Sequence, residues 1–453
     1  MSQEKIAVVG GGLVGGVLAC YMAQKGYDVH VFERRDDIRT AEISAGKSIN
    51  LALSDRGWKA LRDIGLEERV QGMVIPMEGR MIHYLDGREE FQLYANEGQA
   101  INSVSRGGLN QVLLEKADSY DNTTLHFNEK CLDIDLKTNT IHFENSVSGQ
   151  KQALTFDRIM GTDGAFSAVR SRLQKTDRFD YSQKYLDHSY KELVIHANPD
   201  GTHQMHANSL HIWPRGQYML IGLPNLDGSF TMTLFFPHEG EISFASLDTD
   251  EKVLEFFKEQ FPDAMDLMPT LIEDYRINPT SSLAMIHCYP WHYKNQIVMM
   301  GDATHATVPF YGQGMNSGFE DCFEFNKIFE ANNRDWDKTF EQFSVERKPN
   351  GDAVIELSLM NYIVMRDLTA DPEFLLQKRI EKWFAKRNPN LWMPLYEQVS
   401  FSDIPYSDAL KRGQLQDNIM KKVLDQNLAD DAYENEETEK LMIDLLAKNG
   451  ITA

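Results

Sequence analysis

Residues 5–33 read KIAVVGGGLVGGVLACYMAQKGYDVHVFE, and the expected architecture of the chain follows from them. Two short apolar runs, at 5–9 and 28–32, predict two buried strands. The apolar segment between them predicts a helix that ends near Lys25, with Gly26 as its C-cap. This order of strand, glycine-rich turn, helix and strand is typical of the start of a parallel α/β sheet.

The turn after the first strand carries a G-x-G-x-x-G pattern at Gly10, Gly12 and Gly15, and the second strand ends at Glu33. Glycines at these positions allow a tight turn and bring a pyrophosphate close to the helix N-terminus. Glu33 stands where a carboxylate can accept a hydrogen bond from a ribose hydroxyl, and it would repel a 2′-phosphate. The stretch therefore predicts a dinucleotide site for FAD or NAD, and not for NADP.

A second glycine-rich stretch, residues 301–321, reads GDATHATVPFYGQGMNSGFED. It follows a short apolar run at 297–300 and leads into a helical pattern that begins near Asn316. The glycines let the backbone approach a ligand, and the helix directs free N–H groups and its positive end toward that ligand. This suits a reduced flavin ring, which gains negative charge. Taken alone, the stretch fits a connection between core elements equally well.

A third element begins with an apolar run at 156–160, which predicts another short strand. The strand leads into an Asp163-Gly164 pair and then into a helix that bears Arg170. Together with the two glycine-rich stretches, an Asp-Gly pair at the end of a strand would complete a flavin site. On its own this motif is a weak indication.

Other segments fit a cofactor site without requiring one. Residues 48–54 are apolar with small polar side chains, which suits the ring end of a long cofactor or buried loop packing. Arg106 precedes a predicted helix and could hold a phosphate or ribose, or lie on the surface. Arg34 and Arg35 are either neighbours of the adenosine or solvated surface residues.

Residues 76–94 predict a β-hairpin with its turn at Asp86-Gly87. A two-residue loop would send Arg80 and Tyr94 to opposite faces of the hairpin. A three-residue loop with one residue in the left-handed region would place them on one face, directly opposite each other. If the two residues act together, as the family resemblance given below implies, we expect the longer loop.

The composition restricts the classes of partner. The formal net charge of -22 argues against nucleic acid or an anionic membrane surface. Only four residues precede the first apolar run and no apolar span reaches about 18 residues, so we expect no signal peptide, no membrane-spanning helix and a cytoplasmic protein.

Four widely spaced cysteines point to a reducing compartment, and we expect them buried and inert: Cys20, Cys131, Cys288 and Cys322. We predict no metal site, because His203, His206 and His211 lack a nearby carboxylate or thiolate pattern.

The predicted fold class is α/β, with 453 residues sufficient for two or three cores. We expect a discontinuous FAD-binding, Rossmann-like domain of the glutathione-reductase type, an antiparallel-sheet substrate domain and a C-terminal helical region. The predicted bounds are 1–75, 101–175 and 291–345 for the first domain, 76–100 and 176–290 for the second, and 346–453 for the third. Beyond about Ser407 the chain is polar and acidic, which predicts a solvated helical tail.

The G-x-G-x-x-G pattern, the Asp163-Gly164 pair and the Gly301-Asp302 stretch, in this order along the chain, resemble the motifs of the single-component flavin-dependent aromatic hydroxylases. Within that family the likeness is to the members that act on L-kynurenine, and it extends from about Lys5 to Ser407. The segments that carry it are 48–54, 76–83, 178–183, 211–215 and 309–322. Animal and fungal members have an apolar C-terminal anchor, which the acidic tail replaces here, so membrane attachment is not expected.

The resemblance assigns roles to matching residues. Arg80 and Tyr94 would hold the α-carboxylate of the substrate, with Asn361 and Tyr396 at the polar end of the pocket. From spacing alone, a buried Asn361 could equally bond to backbone. The residues by the reacting face of the ring would be Gln313, Phe310 and Pro309. The FAD contacts would be Gly10, Gly12, Leu13, Val14, Gly15, Phe32, Glu33, Arg34, Arg35, Ala52, Arg106, Cys131, Asp163, Asp302, Gly314, Met315 and Asn316.

The resemblance also implies a reaction. FAD, reduced by NADPH, would react with O2 to form a flavin hydroperoxide that hydroxylates L-kynurenine at ring position 3, a step of tryptophan catabolism. Two alternatives share the flavin motifs: a hydroxylase acting on another aromatic acid, and a flavin-binding protein without catalysis. An NAD dehydrogenase gives no reason for the second and third motifs.

Overall fold

The computed structural model of the chain describes residues 3–40, 50–94, 98–368, 371–426 and 433–451. Within these ranges the strands are β1 (Lys5–Val9), β2 (Asp28–Phe32), β3 (Asn50–Leu53), β4 (Val74–Met77), β5 (Gly79–His83), β6 (Glu89–Leu93), β7 (Ile101–Ser105), β8 (Thr123–His126), β9 (Glu129–Asp135), β10 (Thr140–Asn145), β11 (Lys151–Thr155), β12 (Arg158–Gly161), β13 (Asp180–Ile195), β14 (Ser209–Pro214), β15 (Met219–Pro224), β16 (Phe230–Pro237), β17 (Ser281–Tyr289), β18 (His292–Tyr293) and β19 (Ile297–Met299).

The helices of the described ranges cover the sheets and form the C-terminal part of the chain. They are α1 (Leu13–Gln24), α2 (Asp55–Asp63), α3 (Glu67–Gln71), α4 (Arg106–Asp118), α5 (Ala168–Leu173), α6 (Asp250–Gln260), α7 (Pro262–Met265), α8 (Leu271–Ile277), α9 (Asp302–His305), α10 (Gly314–Ala331), α11 (Trp336–Ile363), α12 (Pro372–Arg387), α13 (Leu395–Ser400), α14 (Tyr406–Leu424) and α15 (Glu436–Lys448).

One of the two large sheets has six strands in the order β18-β19-β12-β1-β2-β8. Its five strands from β19 to β8 pair in parallel, and β18 is an antiparallel edge. Because both faces of a parallel sheet are covered, its strands read as continuous apolar runs, and residues 6–9 of β1 are fully buried. This agrees with the predicted α/β fold class.

The second large sheet has seven strands in the order β17-β13-β16-β15-β14-β5-β6. All neighbours are antiparallel except β14 and β5, which pair in parallel. Its strands all fall within the predicted ranges 76–100 and 176–290, and those of the six-stranded sheet fall within 1–75, 101–175 and 291–345. The domain bounds themselves stay a prediction.

The hairpin of β5 and β6 has a three-residue loop, since Tyr84 N–H donates to the carbonyl of Arg88. Gly87 in that loop has φ +83°, in the left-handed region, as expected. The predicted direct pairing of Arg80 with Tyr94 is wrong, because Arg80 lies opposite Gln92 and Tyr94 N–H donates to Glu78. Arg80 and Tyr94 still share a face, because their partners differ by two positions.

The C-terminal region contains its own core, so the predicted solvated tail is wrong in part. Met442, Leu445 and Leu446 of α15 pack with apolar residues of α12 and α14, such as Phe384 and Met420. The acidic residues of this amphipathic helix obscured its buried face in the sequence. In the described part of the chain, none of the helices has the length and apolar character needed to cross a membrane.

Candidate active site

A cavity of about 650 Å³ runs between the two large sheets, from the loop after β1 to the hairpin of β5 and β6. Most of the predicted site residues line it. They are Gly10, Gly12, Leu13, Val14, Phe32, Glu33, Arg34, Arg35, Ala52, Arg80, Tyr94, Arg106, Cys131, Asp163, Asp302, Pro309, Phe310, Gly314, Met315 and Tyr396. Of the predicted segment 48–54, positions 48 and 49 lie outside the described residues, and Asn50, Leu51 and Ala52 line the cavity.

The first glycine loop has the backbone shape that a pyrophosphate site requires. Gly10 has φ +107°, and a Cβ there would lie 2.5 Å from the Thr162 carbonyl oxygen. A Cβ on Gly15 would lie 1.9 Å from the carbonyl oxygen of Gly10, so Gly15 closes the turn without lining the cavity. A Cβ on Gly12 would meet nothing within 4 Å. Gly12 therefore leaves open the space in front of the N-terminus of α1.

Both carboxylate oxygens of Glu33 are already engaged. Oε2 accepts from Gly11 N–H at 3.0 Å, and Oε1 accepts from Arg35 N–H at 3.1 Å and from Arg35 Nε at 2.7 Å. Oε2 accepts from one donor among the described residues and has a further lone pair, so a ribose hydroxyl can still donate to Glu33. Arg34 and Arg35 are exposed at the mouth of the cavity.

The second and third motifs are joined through Asp163 and Arg170. Asp163 accepts from Ser167 Oγ at 2.5 Å and from the N–H groups of Ala168 and Val169 at 2.7 and 3.2 Å, so it holds the first turn of α5. Burial raises the pKa of Asp163 although these hydrogen bonds favour its charged form. The buried Arg170 donates from Nη1 to the Ala303 carbonyl at 2.9 Å, which ties α5 to α9.

The stretch at residues 301–321 leads from β19 through Gly301 into α9 and the loop before α10. Gly301 has φ +61°, and its N–H donates to Asp321 Oδ2 at 2.9 Å. Asp302 is exposed and faces the cavity at the start of α9. Gly314 begins α10, an 18-residue helix whose N-terminus lies at the cavity wall. The positive end of this helix therefore faces the space between the motifs.

Arg80 lies among tyrosine rings at the far end of the cavity. Its guanidinium carbon is 5.2 Å from the ring centre of Tyr94 and 5.1 Å from that of Tyr396. The two tyrosine rings stack with centres 4.8 Å apart, and the ring of Tyr311 also stacks with that of Tyr396, with centres 5.5 Å apart. Within the described ranges, Arg80 Nε and Tyr94 Oη have no hydrogen-bond partner. Because unpaired polar atoms in a buried wall are costly, this end of the cavity suits an anionic ligand.

Four predicted site residues do not line the cavity. Gly15 closes the glycine turn, as described above. Asn361 Nδ2 donates to the Phe310 carbonyl at 2.7 Å, which is the backbone alternative that spacing left open. Gln313 Oε1 accepts from the Tyr406 hydroxyl at 2.8 Å. Asn316 is fully buried and joins Ser54 N–H to the carbonyls of Ala52 and Gly312. Their contact with a ligand stays a prediction.

The structure adds wall residues that sequence reasoning did not single out. Leu210, Ile221 and Phe235 of β14, β15 and β16 line the middle of the cavity, and Tyr311 lines its far end. The alternating pattern of these strands predicted a sheet that could cover a cavity, but it did not show which face points inward. Tyr311 carried no separate signal, because one aromatic residue beside Phe310 is compatible with either core or site.

The cysteines are only partly as expected. Cys20, Cys288 and Cys322 are buried, and burial raises the pKa of the Cys20 and Cys288 thiols to about 12. Cys131 is half-buried instead and lies on the cavity wall, so the expectation that all four are buried is wrong there. Burial also raises its pKa, which keeps it a neutral thiol.

Comparisons with known proteins agree with this geometry. The profile of a family described as FAD binding domain matches residues 3–358. Kynurenine 3-monooxygenase of Flavobacterium johnsoniae is 48% identical over 445 residues, which are 98% of this chain and 99% of that relative. Kynurenine 3-monooxygenase of Dictyostelium discoideum is 44% identical over 459 residues, covering 98% of each chain.

The architecture also matches a solved structure. The tetrameric form of 2-methyl-3-hydroxypyridine-5-carboxylic acid oxygenase aligns with a TM-score of 0.66, covering 84% of this chain and 97% of that one. The two are 17% identical, so this likeness shows the fold alone. The predicted fold class is confirmed.

Proposed function

Because this chain belongs to the kynurenine 3-monooxygenase family, we propose that it hydroxylates L-kynurenine at ring position 3, with FAD as cofactor and with NADPH and O2 as co-substrates. The observation that carries the proposal is the continuous cavity that joins the glycine loop of the FAD-binding part to Arg80, Tyr94 and Tyr396. The dinucleotide end and the anion-binding end lie in one cavity, so a cofactor and an amino acid substrate can meet there.

The residues at the first end of the cavity fit FAD. Gly12 leaves room for the pyrophosphate at the N-terminus of α1, and Glu33 can accept from the adenosine ribose. Arg106, Asp163 and the N-terminus of α10 border the middle of the cavity, where the flavin ring would lie. When bound, FAD supplies the activated oxygen after reduction by NADPH.

Arg80 is the proposed partner of the substrate α-carboxylate. A guanidinium can donate two parallel hydrogen bonds to a carboxylate, and the surrounding rings keep water from weakening that contact. Tyr94 Oη can donate a further hydrogen bond, since it has no partner within the described ranges. The chain thereby fixes the substrate at one end and leaves its aromatic ring directed along the cavity.

The apolar wall positions the substrate ring and excludes water. Phe310 packs against Phe235 with ring centres 4.7 Å apart, and Ile221 and Leu210 line the same part of the cavity. Water at the reacting position would divert the oxygen to hydrogen peroxide, so a dry wall favours hydroxylation. The aniline nitrogen of kynurenine activates the ring carbon itself, and the proposal requires no strong base from the chain.

The proposed location is the cytoplasm. The support comes from the cysteines, which are free in the described residues and whose spacing in the sequence matches no metal or redox motif.

The test is an assay of the purified protein with FAD, NADPH and L-kynurenine. We expect L-kynurenine to accelerate NADPH oxidation and to be converted to 3-hydroxy-L-kynurenine, with a salicylate-like acid giving neither effect. A product from another aromatic acid alone would reassign the substrate. A yellow protein whose NADPH oxidation does not respond to any substrate would contradict the enzymatic proposal.

A further inference from the structure

Arg56 on α2 is fully buried and joins three separate parts of the chain. Its Nη1 donates to Glu320 Oε1 on α10 at 2.6 Å. Its Nε donates to the Val399 carbonyl at 2.7 Å, and its Nη2 donates to the carbonyls of Gln398 and Ile404. Four of the five guanidinium hydrogens therefore have acceptors, and these acceptors lie more than 260 residues away in the sequence.

The Gln398 and Val399 carbonyls that Arg56 binds belong to the end of α13, the helix that carries Tyr396, and the Ile404 carbonyl lies in the segment that follows α13. The last carbonyls of a helix lack partners within the helix, and a cation there also interacts favourably with the helix dipole. Arg56 thus acts as the C-terminal cap of α13. Because α13 has only six residues, this contact fixes the position of Tyr396 relative to α10.

Tyr406 extends the same contact to the loop before α10. The Arg56 guanidinium carbon lies 4.1 Å from the ring centre of Tyr406, and the Tyr406 hydroxyl donates to Gln313 Oε1 at 2.8 Å. Gln313 lies between Phe310 and Gly314, which both line the cavity. The flavin-facing loop and the tyrosine beside Arg80 are consequently held through the same buried side chain.

Two buried carboxylates lie beside two buried arginines. A substitution that keeps the positive charge at position 56 therefore tests the geometry of the contacts separately from their charge. Glu320 pairs with Arg56 and Arg347, and Asp321 pairs with Arg347 and, at 2.6 Å, with His305. A lysine at position 56 preserves the positive charge but has three donors on one atom, so it cannot reach Glu320 and the end of α13 together.

We propose that Arg56 and Tyr406 are positioning residues for the hydroxylation, a role that rests on the proposed function. They set the distance between the loop at residues 309–314, which faces the flavin ring, and Tyr396, which lies at the substrate carboxylate. Neither residue lines the cavity, so they act through Gln313 and α13.

The experiment compares Arg56→Lys and Tyr406→Phe with the parent protein. The control is Arg62→Lys, an exposed arginine of the same helix that pairs with Glu67. For each protein we would measure the fluorescence of bound FAD, the Kd for FAD, the Kd for L-kynurenine from the flavin difference spectrum, and hydroxylated product per NADPH consumed.

Arg56→Lys is expected to raise the Kd for L-kynurenine and to lower product per NADPH, each by about tenfold, because small misplacements of reacting groups have large effects. Tyr406→Phe should lower product per NADPH by a smaller factor and leave the substrate Kd unchanged. Both should alter the fluorescence of bound FAD without substrate, while Arg62→Lys should match the parent in every measurement.

The proposal would be overturned if both variants had a lower Tm but kept the parental substrate Kd, FAD fluorescence and product yield. Arg56 would then be a structural residue. If Arg56→Lys does not fold, Tyr406→Phe decides by the same product yield and fluorescence. If the parent makes no hydroxylated product, the proposed function fails, and FAD fluorescence in the two variants still decides whether Arg56 and Tyr406 position the loop beside the flavin.

Discussion

Arg80 brings a positive charge into a cavity wall made of tyrosine rings. Arg80→Met keeps the apolar stem and removes the charge. We expect the apparent KM for L-kynurenine to rise about 30-fold or more, since a desolvated bidentate contact contributes about 2 kcal/mol or more. The kcat and the FAD content should change little, because the flavin end of the cavity is untouched.

Steady-state kinetics with varied L-kynurenine check this expectation. Arg88→Met is the matched control, because Arg88 lies exposed at the turn of the same hairpin and pairs with Asp86. A parental KM in Arg80→Met would remove Arg80 from the substrate site.

Gly12 is the residue whose missing side chain leaves space for the cofactor. Gly12→Ala is expected to fold, since an added Cβ meets no atom within 4 Å. The methyl group would stand between the pyrophosphate and the backbone N–H groups of α1, so the Kd for FAD should rise about tenfold or more. The Kd is measured by titrating the apoprotein with FAD, and the Tm of the apoprotein should not fall.

Gly72→Ala is the control for Gly12→Ala, because its added Cβ makes only an ordinary contact at 3.5 Å, with the Arg69 carbonyl. Equal FAD affinity in Gly12→Ala and the parent would place the pyrophosphate elsewhere.

At the scale of elements, the hairpin loop decides which side chains face the cavity. Deleting Asp86 leaves two residues between Tyr84 and Arg88, so a three-residue loop can re-form only when the pairing of β5 with β6 shifts by one position. A shift of one residue sends each side chain to the other face, so Tyr94 would leave the face of Arg80. We expect a higher KM for L-kynurenine with FAD binding retained.

The KM and the FAD content of the purified deletion variant give the result. Asp86→Asn keeps the loop length and should behave as the parent does. A deletion variant with parental KM would contradict the expected shift of the pairing and of the face that Tyr94 occupies.

The hairpin also illustrates what could be predicted at this scale. The Asp86-Gly87 pair located the turn, and the conformation of Gly87 selected the longer loop. The exact pairing was missed because a turn signal fixes where the chain reverses and leaves open the number of residues that remain unpaired. The apolar face of α15 was missed for a related reason, since its buried residues stand among acidic ones.

At the scale of the whole molecule, a buried group of charges joins α2, α10 and α11. Burial alone would raise the pKa of Glu320 and Asp321, but Arg347 and Arg56 hold the pKa of Glu320 below its ordinary range, and His305 and Arg347 do the same for the pKa of Asp321. A carboxyl whose pKa is lowered by folding stabilises the fold above its unfolded pKa of roughly 4, and this contribution is lost as the pH falls through the folded pKa. We therefore expect stability to decrease as the pH falls below about 4.

Asp321→Asn tests this contribution. It leaves Arg347 short of a buried counter-charge, so the free energy of unfolding at pH 7 should fall by about 3 to 5 kcal/mol. The difference from the parent should become smaller as the pH falls below 4. Urea unfolding between pH 3 and 7 measures both effects, with Glu324→Gln on the same helix as the control because Glu324 pairs only with the exposed Lys327 among the described residues. An equal loss at all pH values would contradict the linkage.

The order of strands, glycine turns and helices was determined by the sequence, because apolar period, glycine position and an acidic residue at a strand end are local properties of the chain. They predicted the α/β fold and a dinucleotide site, and the family resemblance added residues that line the cavity, such as Arg80 and Phe310. The tertiary structure alone decided where the side chains of Gln313 and Asn361 point. It also decided the stacking of Tyr311 on Tyr396 and the contacts of Arg56. These depend on which distant atom satisfies a buried polar group, and that atom is brought into reach only when elements far apart in the sequence pack together.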